Sequence, residues 1–253
     1  MGLIVDQEHP GTPESVWLGS GRLDALPTLD LGRPRRVVVV APHPDDEVVG
    51  AGGLLHTLIA SGVPFEILAV TDGEASHPKG GAGRARDLAV RRPLETLRAL
   101  RRLGCPTPMV TRLGIPDGRV TEHEDLVGAA VAGRARPGDL WLAPWPRDGH
   151  PDHDACGRAT DAVTARLGVR SLGYLVWAWH WADPSGDDLP WADCRRFDLD
   201  KPTLSRKRWS MEAFHSQIRP LGPDPDAAPV LPTAVLARFW RRAEVYVDGG
   251  SAG

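Results

Sequence analysis

Two hydrophobic periods alternate along the chain. "RRVVVVA" (35–41) is a continuous apolar run, the pattern of a strand covered by helices on both faces. "VVGAGGLLHTLIASG" (48–62) predicts a helix ending at Gly62, whose glycines lower helix propensity and are expected where the helix approaches the sheet closely. "PFEILAVTDG" (64–73) predicts a second strand, and 83–104 a long helix with Leu88, Leu94, Leu97, Leu100 and Leu103 near a 3–4 spacing. Pro93 inside that helix predicts a kink or a later start. A third strand is expected at 108–114, a helix at 122–135, a fourth strand at 139–145 and a helix at 154–167. "SLGYLVWAWHW" (171–181) predicts a fifth strand with Trp177, Trp179 and Trp181 on one face. Residues 1–33, 182–200 and 219–233 predict irregular structure, and helices are expected at 203–218 and 233–242.

Strand–helix alternation from 35 to 170 implies right-handed βαβ units. The expected fold is α/β: a Rossmann-like parallel sheet flanked by helices, in a single domain over 1–253. If the strand order is the common 3-2-1-4-5, the first and fourth strands are neighbours, and their C-terminal ends flank a switch point where ligands bind.

Composition narrows the function. A formal charge of −3 gives no electrostatic case for nucleic acid, and no apolar run approaches the roughly 20 residues of a membrane span. The segment "MGLIVDQEHPGTPES" lacks the basic and apolar regions of a secretory signal. Cys105, Cys156 and Cys194 are an odd number without CxxC spacing, which suits reduced thiols. A cytoplasmic location is therefore expected, with a homo-oligomer left open.

The chemistry lies in two clusters. "PHPDDE" (42–47) follows the first strand, and "DGHPDHDACG" (148–157) follows the fourth. Carboxylates crowded at a strand end become tolerable when a cation neutralises them. His43, one of Asp45 and Asp46, and one His of "HPDH" make a two-His, one-carboxylate donor set with room for water. The remaining Asp then stands as a general base. Without a metal, the same residues read as a solvated loop and a helix cap, with Asp46 as N-cap and Glu47 as a carboxylate at a helix N-terminus. Asp152 and Asp154 are expected to cap the next helix, and Cys156 to be a buried, inert thiol.

"PHPDDE" with "GAGG" and the later "DGHPDHDACGR" resembles the LmbE-like, or PIG-L, family of zinc-dependent N-deacetylases. "TDGEASHP", "RPLETLRALRRLG", "LGIPDG" and "KRWSMEAFHSQ" occur in the family's order, so the resemblance runs from about 35 to 245. It implies His43, Asp46 and His153 as metal ligands, Asp45 as general base, and a protonated His150 stabilising the tetrahedral intermediate. It also implies Arg92 and Asp117 on the sugar. Zn2+ is the implied metal, and Fe2+ suits the same donors. The implied activity is removal of an N-acetyl group from an amino-sugar-containing small molecule. An amidase cleaving a larger acyl group is the alternative. A two-metal phosphoesterase, with Glu47, Asp148 and Asp152 as further ligands, is a weaker one. The Trp-rich stretch 177–193 reads either as core packing or as an aromatic wall against a sugar, with a lid at 182–200.

Overall fold

The computed structural model describes residues 11–223 and 225–249. Its strands are β1 (Arg36–Ala41), β2 (Phe65–Ala69), β3 (Val110–Arg112), β4 (Asp139–Pro144), β5 (Arg170–Tyr174), β6 (Cys194–Asp198) and β7 (Ala243–Val247). They form one sheet in the order β3-β2-β1-β4-β5-β7-β6. The first five strands are parallel in the expected 3-2-1-4-5 order, while β7 pairs antiparallel with both β5 and β6.

The long helices are α2 (Asp46–Ala60), α3 (Gly81–Leu103), α4 (Glu124–Arg134), α5 (Pro151–Leu167) and α7 (Lys201–Met211); the shorter ones are α1 (Glu14–Gly19), α6 (Ala178–Trp181), α8 (His215–Ile218) and α9 (Thr233–Leu236). The apolar run of β1 is explained by its two covered faces. Val37 and Val39 join a core with Leu54, Leu55, Ile67 and Leu100, while Val38 and Val40 join another with Leu68, Val127, Val131 and Trp141. Period-2 side chains thus feed two cores from one strand. The glycines of α2 do permit a close approach: a Cβ on Gly50 would lie 2.3 Å from the Tyr174 ring of β5.

Several expectations are corrected. Residues 175–181 do not continue β5. The chain turns after Tyr174 into α6, so Trp177, Trp179 and Trp181 do not share a strand face. The region 182–200 contains β6, and the 203–218 helix is two helices, α7 and α8. Only 233–236 of the last predicted helix is α-helical, followed by a 3₁₀ turn. The segment 11–33 is not wholly irregular: α1 seats Trp17 edge-on against Trp179, ring centroids 4.9 Å apart, and the Trp17 indole donates to the Trp179 carbonyl. Residues 1–10 of that segment lie outside the described residues.

Helix α3 runs unbroken through Pro93. Its leucine stripe is only partly internal: Leu88, Leu100 and Leu103 are buried, whereas Leu94 is 56% exposed. The buried face passes instead through Arg92, Glu95 and Thr96. That face looks toward polar partners rather than a purely apolar core, which is why an apolar periodicity misses it.

Candidate metal centre

Strands β1 and β4 are neighbours, so the loops after Ala41 and Pro144 meet at the switch point. His43 and His153, 110 positions apart in sequence, meet there, their Nδ1 and Nε2 atoms 3.2 Å apart. Asp46 Oδ2 lies 3.2 Å from each of these nitrogens.

The hydrogen-bond partners show which tautomers would turn these three atoms toward a cation. His153 Nδ1 faces Asp148 Oδ2 at 2.9 Å, so Nδ1 carries the proton and Nε2 presents a lone pair. His43 Nε2 faces Asp117 Oδ1 at 3.1 Å and Asp152 Oδ2 at 3.3 Å, so its proton sits there and Nδ1 presents a lone pair. With the Asp46 carboxylate, whose Oδ2 also accepts the His43 backbone N–H at 2.9 Å, three potential ligand atoms converge. Three ligands at about 2.0–2.1 Å from one tetrahedral ion would be separated by roughly 3.3–3.4 Å. The triangle has that size, and its donor chemistry fits a divalent cation. Without one, protons must fill the gap: against the cost of burial, Asp46 and Asp148 hold His153 up at about 9. Likewise, against burial, Asp117, Asp152 and Asp46 raise His43.

Each histidine of the triangle is held from behind. Asp148, fully buried, accepts N–H groups from Val176, Trp177 and Ala178 as well as from His153. It therefore ties the turn after β5 to a ligand. Asp152 accepts the Gly118 and Val120 amides and does not cap α5, contrary to expectation. The capping side chain is His150, whose Nδ1 accepts the Asp152 amide. Asp154, in the first turn, accepts the Gly149 amide ahead of the helix and does not cap it either. His43, His150 and Asp152 also lie close enough to form a second donor group. Asp152 already carries its two amides within it.

Asp45 sits beside the triangle. Burial pushes its carboxyl up to about 7 against the pull of Arg92. Its φ is 149°, the only positive φ at a non-glycine among the described residues. Such a conformation costs about 1–3 kcal/mol and persists only where neighbours enforce it. Arg92 is 2% exposed; it donates to Asp45 Oδ2 at 3.1 Å, to Pro44 O at 3.0 Å and to Gly73 O at 2.7 Å. Gly73 makes room for it, since a Cβ there would fall 2.2 Å from the guanidinium. Arg92 and Asp117, which the resemblance puts on the sugar, thus direct their hydrogen bonds to Asp45, the Pro44 and Gly73 carbonyls, His43 and the Ala75 amide.

His150 stands between the cluster and Trp177, stacked on that indole at 6.0 Å. Burial, with charge on His43 and His153, pushes it down to about 3, which favours the neutral ring. Because Nδ1 is an acceptor, its proton is on Nε2. Cys156 is buried with its thiol pushed up by burial, as expected of an inert side chain. The sequence reading gave no role to Asp148 or Asp152 as supports. The signal was available: a ligand histidine needs a partner for its other nitrogen, and a carboxylate is the usual one.

An open α/β sheet with a two-His, one-Asp triangle at its switch point defines an α/β protein with a candidate divalent-cation site. The chain belongs to the PIG-L family: residues 38–164 match the family described as GlcNAc-PI de-N-acetylase. It is 32% identical over 125 residues to a diacetylchitobiose deacetylase of Thermococcus kodakarensis, covering 49% of this chain and 46% of that one. It is 32% identical over 142 residues to a probable N-acetyl-alpha-D-glucosaminyl L-malate deacetylase 2 of Bacillus cereus, covering 53% of this chain and 62% of the relative. In both cases less than two-thirds of the relative is matched. The fold matches an N,N'-diacetylchitobiose deacetylase structure from Pyrococcus horikoshii with a TM-score of 0.58 at 20% identity, over 76% of this chain and 75% of that one. No helix among the described residues is long and apolar enough to cross a membrane.

Proposed function

We propose that this chain is a zinc-dependent deacetylase that hydrolyses the N-acetyl amide of an amino-sugar-containing small molecule to acetate and a free amine. The observation that carries the reading is the convergence of His43 Nδ1, Asp46 Oδ2 and His153 Nε2 at 3.2 Å from one another, the spacing of three ligands around one cation. Those three residues would hold the cation, which when bound supplies Lewis acidity toward water and the amide carbonyl. Asp45 takes a proton from the attacking water and returns it to the leaving amine. His150 donates from Nε2 to the oxyanion that develops on the carbonyl oxygen. Arg92 holds Asp45 in place, and Asp117 and Asp148 hold the ligand histidines. Substrate class comes from the relatives, two of which are named for N-acetylated sugars. Three free thiols suit a cytoplasmic setting.

The test is a mass-spectrometric screen of the zinc-loaded protein against N-acetylated sugars, including N-acetylglucosamine and N,N'-diacetylchitobiose. Wild type releases free amine; Asp45→Ala keeps its zinc and is slower by about 10²–10⁴-fold. Full turnover by Asp45→Ala would remove Asp45 from the mechanism.

A further inference from the structure

The unusual backbone of Asp45 raises the question of what enforces it. The dihedral φ is rotation about the N–Cα bond, so it is set by the plane of the peptide joining Pro44 to Asp45. Both ends of that peptide are gripped. Its carbonyl, Pro44 O, accepts from Arg92 Nη2 at 3.0 Å. Its N–H donates to Glu47 Oε2 at 3.1 Å. Beyond the Cα, the Asp45 carbonyl is committed to the first turn of α2, accepting the Val48 and Val49 amides at 3.0 and 2.9 Å. The peptide plane is thus held by two side chains and the following plane by a helix.

Glu47 is fully buried, and its second oxygen, Oε1, has no partner among the described residues. A carboxylate that only neutralised a helix terminus would gain nothing from complete burial with an unpaired oxygen. One serving as the acceptor for the Asp45 amide, beside its own Glu47 amide, accounts for the bond to Asp45 and for where its carboxylate is held.

We infer that Glu47 is a positioning residue: with Arg92 it clamps the Pro44–Asp45 peptide and holds Asp45 in the left-handed backbone region that aims its carboxylate at the metal centre. This deepens the proposed function and rests on Asp45 as the base. The clamp requires an acceptor, not a charge. Glutamine keeps the acceptor and the shape; alanine removes both.

The experiment compares wild type, Glu47→Gln and Glu47→Ala for zinc content, for kcat and KM on N-acetylglucosamine, and by crystal structure. Glu47→Ala is expected to keep one zinc per chain and lose about a hundredfold in kcat, with KM within about threefold. Its crystal structure shows Asp45 φ moved out of the positive range. Glu47→Gln recovers kcat to within about fivefold of wild type and keeps the positive φ. An Asp45 φ unchanged in Glu47→Ala overturns the inference, as does a Glu47→Gln as impaired as Glu47→Ala, which would make the charge the working feature. Loss of zinc from Glu47→Gln also overturns it, since Glu47 would then act through the metal. If Glu47→Ala does not fold, Glu47→Gln decides alone by its φ and zinc content. Were wild type inactive on every acetylated sugar, the proposed function would fail, while the φ of Asp45 in the variants would still decide the clamp.

Discussion

Helix α2 carries two buried charge clusters, and they are built on opposite principles. At its middle, Lys207 Nζ meets Glu244 Oε1 at 2.7 Å, and the same carboxylate accepts the Gly53 and Leu54 amides and the Tyr246 hydroxyl. The carboxylate's lone pairs meet donors, and the charges cancel. At its N-terminus, Asp46 accepts the His43 backbone N–H and faces ring nitrogens of His43 and His153, and a second carboxylate, Asp45, lies beside them. One cluster is complete as folded and ties α7, α2 and β7 together. The other gathers the donor atoms that the proposed cation would join. Burial alone does not separate the two, since Glu244 and Asp46 are both under a tenth exposed. The direction of the donors does.

Substitutions can break that contrast. The largest effect is expected from His153→Ala, which removes one corner of the triangle: zinc per chain falls from one toward zero, and turnover falls by about 10⁴-fold. Metal analysis of the purified variant checks it, and stoichiometric zinc would take His153 out of the ligand set. Next comes Lys207→Met, which leaves Glu244 charged and buried. It should cost about 3–5 kcal/mol in urea unfolding yet leave zinc stoichiometry at one. If zinc were lost from the folded variant, the two clusters would not be independent. Smaller again, Asp148→Asn keeps the shape but replaces Oδ2, the acceptor for both His153 Nδ1 and the Trp177 amide. Zinc affinity by competition with a chromogenic chelator should weaken about 10–100-fold. An unchanged affinity would mean that the Oδ1 bonds to the Val176 and Ala178 amides are its working role.

How far the sequence could be read depended on whether the signal was local. The β1 run, the α2 glycines and the two His/Asp clusters stand in short contiguous stretches, and the parallel part of the sheet follows from them. Strands β6 and β7 were not legible because each is short and carries charged residues, and their identity comes from antiparallel pairing with each other. Trp177, Trp179 and Trp181 alternate as a strand would, but Asp148 gathers the amides of residues 176–178 and turns the chain there. Arg92 and Glu95 lie on a buried helix face because each has a polar partner waiting, Asp45 for one and Ser216 for the other. Hydropathy patterns carry no record of such partners.

The sequence by itself determined the residue types of a metal centre and the strand ends that carry them, because those are properties of short segments and of βαβ handedness. The tertiary structure decided which atom of each residue is free. His43 offers Nδ1 only because Asp117 and Asp152 claim Nε2, and His153 offers Nε2 only because Asp148 claims Nδ1. It also decided the backbone of Asp45, held by Glu47 and Arg92 from two different helices. Lone pairs and peptide planes are set by where partners are placed in three dimensions, some near in sequence, as Glu47 and Asp148 are, and some far, as Asp117 and Arg92 are.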